Sequence, residues 1–410
     1  MLTNNKHIFF IAFLLTLSFI MRLCFNLIFV GIESLPGRSS IDAPDENKYH
    51  NMAISIINGQ GFRGKAYNPP GYPLFLSLIY NIFGLNTFAV RIVQSLLSSI
   101  MVIFIFYIAQ IAYDKNTAIL AGLISMIYPF FVYWTGALLT ETLFIFLYVI
   151  SIFFIYRFLL TKSQLWNIVG SFSLGLTTLV RPVVLSLPLF ILIFYLLNNK
   201  SLKSCLLNIF IFCLIYFSVL APWTIRNYLI FDRFIPVTTS SGINLLAGMN
   251  KQVLNDINMS GKLTRGALDE YNEYLVNLDE NQRDIEATKL AIGYYKKLFK
   301  ENPLFIIKVM WKKWKAFWNI FPSNRGQLAK VMSLLSYGLL LPFFILGCIL
   351  SIFRKNTLLI IFVILNSVII CLVYYANIRY RFPMEPFFII VASFGILFIK
   401  EKLINKIPNV

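Results

Sequence analysis

Charged residues are scarce in this chain, and acidic residues are the scarcest. Only 13% of the 410 residues are charged, with 18 Asp and Glu against 36 Lys and Arg, while 58% are hydrophobic. A water-soluble domain of this length does not need so much apolar surface, whereas each helical membrane span takes about 20 apolar residues. The composition therefore argues against a soluble globular protein and predicts an all-α polytopic membrane protein.

Cysteine is rare as well, and no CxxC pair, glycine-rich phosphate loop, internal repeat or low-complexity tract occurs. The five cysteines all lie in apolar stretches, which is typical of small buried side chains rather than disulfides or metal ligands. The pattern thus gives no sign of a disulfide framework or a cysteine metal site. These residues are Cys24, Cys205, Cys213, Cys348 and Cys371.

The basic residues explain the net charge of +18 without a nucleic-acid partner. Many of them lie in short connectors between apolar runs, as the positive-inside rule expects of cytoplasmic loops. Following that rule along the chain places both termini in the cytoplasm and predicts a multi-pass protein of the cytoplasmic membrane. The first apolar run is too long for a signal peptide and lacks a clear cleavage site, so we interpret it as an uncleaved first helix.

The apolar runs predict about ten transmembrane helices, joined by extracytoplasmic loops that carry short interfacial helices. We expect a transmembrane catalytic module over 1–222, which includes a first extracytoplasmic loop over 31–87. An extracytoplasmic or interfacial segment follows over 223–330, and C-terminal transmembrane helices occupy 331–410. The predicted spans lie near 7–30, 88–112, 117–134, 139–160, 165–180, 183–198, 204–222, 331–353, 357–376 and 384–399.

This topology gathers ionic residues from distant parts of the chain on the extracytoplasmic side. The first loop begins with Asp42, Asp45 and Glu46, and a short helix is predicted from Asp45 to Ile57. A proline-rich turn follows. Lys and aromatic residues interleave in the later part of 223–330, which indicates amphipathic helices on the membrane surface.

Four motifs in this order resemble those of one enzyme family. They are an Asp-Glu pair after the first span, Pro-Pro-Gly-Tyr-Pro at 69–73, Thr-Glu at 140–141 and Arg-Tyr-Arg-Phe-Pro at 379–383. The chain is similar to the C-type (GT-C) glycosyltransferases of the protein O-mannosyltransferase and lipid A aminoarabinose transferase kind. The resemblance implies transfer of a sugar, a hexose or a pentose, from a polyprenyl-phosphate donor to a lipid, glycan or protein acceptor, usually with inversion.

The same resemblance implies catalytic positions. Asp45 and Glu46 match the acidic pair of the family, with Asp45 as the catalytic carboxylate, and Glu141 matches an acidic position at the outer end of the fourth span. Lys65, or the backbone at Pro69 and Pro70, lies where relatives contact the donor phosphate. Relatives often place Lys or His directly before the double proline, and this chain has Asn68 there.

The chemistry of the residues supports a related interpretation. Transfer requires a base for the acceptor hydroxyl, for which Asp45 is the candidate and His50 an alternative. Glu141 either orients an acceptor, holds a cationic partner or begins a helix. The guanidinium groups of Arg379, Arg381 and Arg181 suit phosphate oxygens, although Arg181 is also explained as a boundary anchor.

The remaining site predictions concern the pocket and a metal. No cofactor is required by the sequence, but a divalent cation stays open, because Asp45 and Glu46 are hard oxygen ligands. Arg22, inside the first span, is expected to pair with an acid or to reach the membrane surface. The residues predicted to line the donor and acceptor pocket are Tyr49, His50, Tyr67, Pro70, Tyr72, Tyr380 and Arg226.

Two other functions remain open at this stage. A transporter or flippase of lipid-linked sugars would place ionisable groups midway along its spans and break helices in paired halves. Here most charges lie at the outer ends, and no half-repeat is visible. The other alternative is a non-catalytic assembly partner with the same fold. Membrane lipids are expected partners in each case.

Overall fold

The structure is a computed structural model, and it describes residues 4–31, 43–198, 201–256, 274–321, 326–352, 354–376 and 378–404. The described residues contain helices and no strand, which confirms the predicted all-α polytopic membrane fold. Seven helices are long and apolar enough to cross a membrane. They span Lys6–Val30, Thr87–Ala112, Glu141–Thr161, Leu202–Phe231, Gln327–Ser351, Lys355–Val373 and Arg379–Leu403.

Shorter helices complete the bundle. Three of them are apolar, namely Gly71–Phe83, Lys115–Ile127 and Pro182–Asn198, and the count of ten spans is not established by this arrangement. The other described helices of at least five residues that lie outside those spans are Ala43–Ile57, Pro129–Tyr133, Gln164–Val180, Ser241–Gly248, Lys251–Asn255, Glu280–Glu301 and Pro303–Phe317.

The predicted span at 117–134 is broken in the structure. Its helix ends at Ile127, Tyr128 takes an extended conformation, and a short helix begins at Pro129. Proline lacks a backbone N–H and disfavours a helical residue before it, so the chain turns at this point. Between the end of this short helix at Tyr133 and Glu141, the backbone is irregular. Its carbonyl and N–H groups form hydrogen bonds with side chains of neighbouring helices.

The proline-rich turn of the first loop also differs from the expectation, because it starts the apolar helix Gly71–Phe83. Gly71 allows this helix to approach the end of the helix Gln164–Val180 closely. A Cβ atom at Gly71 would lie 2.8 Å from Val180 Cγ2 and 2.9 Å from the Leu179 carbonyl oxygen. The loop predicted over 31–87 is thus partly a packed element of the bundle.

Among the residues that the structure describes, no acid pairs with Arg22, and its side chain is buried in the bundle rather than directed to the membrane surface. Its guanidinium is fully buried and donates hydrogen bonds to Ser98 Oγ at 2.7 Å, to the Ser18 carbonyl at 3.0 Å and to the Met126 carbonyl at 3.2 Å. The Met126 carbonyl is available because the helix ends one residue later. The prediction for Arg22 was wrong because it did not foresee the broken helix.

Candidate functional site

Glu141 is the centre of a cluster that we call the ionic site, formed by Asp45, Glu141, Arg181 and Arg379. Glu141 is the first residue of its helix and is fully buried. One carboxylate oxygen, Oε1, accepts hydrogen bonds from Arg181 Nη1 at 3.0 Å and from Arg379 Nε at 2.5 Å. Of the roles left open for Glu141, the geometry therefore matches two, since Glu141 begins a helix and also holds cationic partners.

Asp45 is the accessible acid of the ionic site. It lies in the first turn of the helix Ala43–Ile57, which confirms the helix predicted for the first loop. Its side chain is 49% exposed and contacts Arg379 Nη1 at 3.5 Å, while the Arg379 side chain is 26% exposed. The ionic site thus joins two carboxylates and two guanidinium groups from four separate parts of the chain. The contacts of Glu141 are buried, and the contact between Asp45 and Arg379 is open to solvent.

Lys48, Tyr49 and Tyr67 lie near Asp45. Lys48 follows Asp45 by three residues on the same helix, and its Nζ lies 4.6 Å from the centre of the Tyr67 ring. Burial lowers the pKa of Lys48, and the charges of Asp45 and Glu280 oppose this shift. Burial raises the pKa of Tyr67 and of Tyr49, so both hydroxyls stay neutral donors.

Tyr380 lies next to Tyr67. Its hydroxyl is hydrogen-bonded to that of Tyr375, and the two rings meet edge to face at 4.8 Å. Tyr67 lies near both Tyr380 and Asp45. The predicted pocket residues Tyr49, Tyr67 and Tyr380 are therefore brought to the ionic site.

Glu46 does not join the ionic site, although it is adjacent to Asp45 in the sequence. It is fully buried, and Oε1 accepts a hydrogen bond from the Leu138 N–H at 3.0 Å. Successive residues of a helix point about 100° apart, so two neighbouring acids cannot both face the same site. The catalytic prediction for Glu46 is corrected, because its carboxylate fixes the loop helix to the irregular segment before Glu141.

Arg381 also lies elsewhere. Its side chain is fully buried and donates to the carbonyls of Phe317 at 3.2 Å and Asn319 at 2.7 Å, and its Nε lies 3.4 Å from Glu385 Oε1. The Tyr337 ring packs against the guanidinium at 3.3 Å. A group enclosed in this way cannot reach a donor phosphate, so the predicted phosphate contact at Arg381 is wrong.

Three predicted pocket residues are occupied with packing. His50 Nδ1 lies 2.8 Å from the Tyr80 hydroxyl, and burial lowers the pKa of this imidazole. Tyr72 is fully buried and donates to Gln94 Oε1 at 3.0 Å. Pro70 is buried directly before the helix Gly71–Phe83. His50 thus joins the helix Ala43–Ile57 to the helix Gly71–Phe83, Tyr72 joins the latter to the helix Thr87–Ala112, and Pro70 precedes it. The pocket role of these three residues, and the role of His50 as an alternative base, stay predictions.

The last predicted residues lie to the side of the ionic site. Arg226 stacks on Trp223 at 4.6 Å and donates to Asn227 Oδ1 at 2.9 Å. Lys65 is exposed in the turn after the loop helix. Asp42 lies outside the described residues.

The possible divalent cation is not supported by the donor groups at hand. Among the described residues, no three His, Cys, Asp or Glu side chains lie close enough to hold a metal ion. Asp45 and Glu46, the predicted ligands, point into different surroundings, one towards Arg379 and the other towards Leu138. This donor set does not fit a metal, and no step of the chemistry is assigned to one.

Sequence reasoning missed Lys48 and Tyr375. The signal for Lys48 was present, because residues three apart on a helix share a face with Asp45. Tyr375 had no comparable signal, since it lies in an irregular turn four residues before the Arg-Tyr-Arg-Phe-Pro motif. Only the fold brings its hydroxyl to that of Tyr380.

Comparisons with known proteins show what the chain is similar to. Residues 67–225 match the family described as dolichyl-phosphate-mannose-protein mannosyltransferase. An uncharacterized protein of Aquifex aeolicus is 24% identical over an alignment of 238 residues, which covers 55% of this chain and 48% of that protein.

Two solved structures of Archaeoglobus fulgidus proteins share the fold. The apo oligosaccharyltransferase has a TM-score of 0.58 at 14% identity, covering 96% of this chain and 51% of its own. The oligosaccharyltransferase AglB, in complex with an inhibitory peptide and a dolichol-phosphate, has a TM-score of 0.56 at 13% identity, covering 100% and 53%. The chain spans about half the length of the relatives that it matches. These two likenesses show the fold, and the family match over 67–225 agrees with the resemblance seen in the sequence motifs.

Proposed function

We propose that this protein transfers a sugar from a polyprenyl-phosphate donor to an acceptor on the extracytoplasmic side of the cytoplasmic membrane. The observation that carries the proposal is the half-exposed Asp45 beside Arg379. Arg379 and Arg181 both contact the buried Glu141. A base and a cationic phosphate site are what displacement at a glycosyl phosphate requires. The family match over 67–225 and the dolichol-phosphate bound by one fold relative support the same donor class.

Asp45 is the base in this proposal. The acceptor oxygen attacks the anomeric carbon while the bond from that carbon to the phosphate oxygen breaks. The acceptor's proton passes to Asp45, and the polyprenyl phosphate leaves with the bonding electrons. Because attack occurs opposite the leaving group, the anomeric centre is inverted. Asp45 is suited to this role since it is the more exposed of the two acids in the ionic site.

Arg379 and Arg181 are the proposed phosphate contacts. The contact between Arg379 and Asp45 is long, at 3.5 Å, so an incoming phosphate oxygen can take over the guanidinium and leave Asp45 available to the acceptor. Arg181 is 15% exposed. Glu141 keeps both guanidinium groups oriented before the donor arrives, so little reorganisation is needed when the phosphate binds.

Lys48, Tyr67 and Tyr380 form the proposed pocket for the sugar and acceptor. Aromatic rings with hydroxyl groups suit a sugar, because they present an apolar face and a hydrogen-bond donor together. Lys48 adds a positive charge next to Asp45. In this proposal it is the third cation near the leaving phosphate, after Arg379 and Arg181. Lys65 and Arg226 stay outside this proposal because neither contacts the ionic site in the described residues.

The test is a transfer assay with Asp45→Asn in the full chain. The protein is reconstituted in liposomes and incubated with a panel of radiolabelled polyprenyl-phosphate hexoses and pentoses and with membrane extract as the acceptor source. We expect labelled macromolecular product with the wild type and a loss of about 100-fold or more with the variant, since a positioned base contributes a factor of this size. Binding of unlabelled polyprenyl phosphate should persist.

Asp232→Asn is the matched control, because Asp232 is exposed in a left-handed conformation that asparagine tolerates. It should transfer sugar at the wild-type rate. Full activity of Asp45→Asn would remove the base from the proposal. Movement of labelled lipid across the liposome without a new glycosidic bond would replace the enzyme by a transporter.

A further inference from the structure

Lys313 is a fully buried lysine that lies outside the family-matched range 67–225. It belongs to the helix Pro303–Phe317, and its Nζ donates to three successive carbonyls, those of Leu372 at 3.0 Å, Val373 at 3.3 Å and Tyr374 at 2.7 Å. The first two carbonyls are the last of the helix Leu358–Val373, and Tyr374 is its C-cap residue. Lys313 therefore caps the C-terminus of a membrane helix from a different part of the chain.

The cap has a physical reason to be stable without an acid. The last carbonyls of a helix have no partner within the helix and carry partial negative charge, which favours a lysine at that end. In the described residues, the hydrogen-bond partners of Lys313 are these three carbonyls and the Tyr295 hydroxyl at 3.1 Å. Burial lowers the pKa of Lys313 to about 7, and the amine donates hydrogen bonds in either protonation state.

Two further groups hold the same turn. The Tyr295 hydroxyl donates to the Val373 carbonyl at 2.7 Å. Gly248 packs directly on Tyr374, since a Cβ atom there would lie 1.6 Å from the Tyr374 carbonyl oxygen. Three elements of the region 241–317 thus fix the backbone at 372–374 from different directions.

This turn leads into the ionic site. Tyr375 comes directly after the capped carbonyls, and its hydroxyl is bonded to that of Tyr380. Arg379, four residues further, contacts both Glu141 and Asp45. A shift of the turn would therefore move the arginine that bridges the two acids, although Lys313 itself touches neither of them in the described residues.

We propose that Lys313 is a positioning residue, which sets the place of Arg379 and Tyr375 by capping the helix before them. The region 241–317 would then control the geometry of the phosphate contact through one buried side chain. This inference deepens the proposed function. The affinity test of Lys313 rests on that function, whereas the hydrogen-exchange test does not depend on it.

The structural test is hydrogen exchange of the full chain in nanodiscs, comparing Lys313→Met with Lys308→Met. Lys308 is exposed on the same helix and serves as the matched control. We expect exchange at 374–381 to become about tenfold faster in Lys313→Met and to stay unchanged in Lys308→Met. In Lys313→Met the carbonyls of Leu372 and Tyr374 lose the donor described for them, while the Val373 carbonyl keeps only the Tyr295 hydroxyl. Unchanged exchange in both variants would overturn the inference.

The functional test measures the affinity for a polyprenyl phosphate without sugar. Lys313→Met should weaken it by about tenfold, Lys313→Arg should recover part of it, and the double variant with Arg379→Gln should be no weaker than Arg379→Gln alone. Additive losses would show that Lys313 does not act through Arg379. If Lys313→Met does not fold, Gly248→Ala displaces the same turn from another element and is held to the same outcomes.

The two tests separate this inference from the proposed function. A wild-type protein that transfers no sugar would contradict the proposed function, yet the exchange at 374–381 would still decide whether Lys313 holds the turn. Conversely, an active wild type with unaltered affinity in Lys313→Met contradicts only the role of Lys313.

Discussion

Two arginines that are separated by one residue lie in regions with opposite properties. Arg379 belongs to the ionic site, where its side chain is 26% exposed and its contact with Asp45 is open to solvent. Arg381 belongs to a second group, the C-terminal polar cluster, formed by Tyr128, Tyr337, Arg381 and Glu385, in which Arg381 is fully buried. Residues two apart on a helix point about 200° apart, so one short helix serves both regions.

The partners of the two arginines differ as much as their exposure. Arg379 makes contact with two carboxylates, and one of these contacts is long enough to be replaced by a ligand. Arg381 donates to two backbone carbonyls and lies against Glu385 and the Tyr337 ring. A charge that can exchange its partner is available for binding, whereas an enclosed charge fixes the packing of helices.

Breaking the buried pair should have the largest effect on the fold. Arg381→Met leaves Glu385 as a buried acid without its cation, and such a loss costs about 3–5 kcal/mol. The free energy of unfolding in mixed micelles with sodium dodecyl sulfate measures it. We expect the double variant Arg381→Met, Glu385→Leu to recover part of the loss, because no charge is then left unpaired. The carbonyls of Phe317 and Asn319 still lack the Arg381 donor in this variant. A single variant as stable as the wild type would remove the distinction between the two regions.

Arg379→Gln should leave the fold nearly intact and weaken ligand binding. Hydrogen bonds to charged groups contribute about 1.5–3 kcal/mol, so the affinity for polyprenyl phosphate should fall by a factor of about 10–150. Binding to the protein in nanodiscs measures this affinity. The control is Arg157→Gln, which lies in the last turns of the helix Glu141–Thr161. We expect this variant to bind polyprenyl phosphate as the wild type does. Equal affinity in both variants would exclude Arg379 as a phosphate contact.

The sequence predicted the ionic site better than it predicted the C-terminal polar cluster. Asp45, Glu141, Arg181 and Arg379 were all assigned to one membrane face from topology, because the ends of membrane helices must meet at a surface. The same argument gave Arg381 the same role, since topology says which end of a helix a residue occupies but not which side it faces. Burial decided between the two arginines.

The fold shows the same limit. Long apolar runs such as Glu141–Thr161 were predicted with nearly the observed bounds, because apolar composition reports a membrane span directly. The break at Tyr128 and the packed helix after Pro70 were not foreseen, although proline marked both places. Whether proline ends a helix or begins one depends on what packs around it, such as Val180 against Gly71.

The smallest expected effect concerns a single hydroxyl of the C-terminal polar cluster. Tyr128 is buried beside Glu385, yet its hydroxyl makes no hydrogen bond within normal geometry among the described residues. Removing a buried polar group that has no partner also removes the cost of its desolvation, so Tyr128→Phe should change the free energy of unfolding by less than about 0.5 kcal/mol, or raise it.

Tyr156→Phe is the matched comparison for this hydroxyl. Tyr156 is equally buried, but its hydroxyl donates to the Asn356 carbonyl at 2.6 Å, so the same change should cost about 1 kcal/mol. Unfolding of both variants in the same mixed micelles gives the difference. If Tyr128→Phe costs as much as Tyr156→Phe, the Tyr128 hydroxyl has a hydrogen-bond partner in the folded protein. The C-terminal polar cluster is then more fully hydrogen-bonded than the contacts of Arg381 and Glu385 indicate.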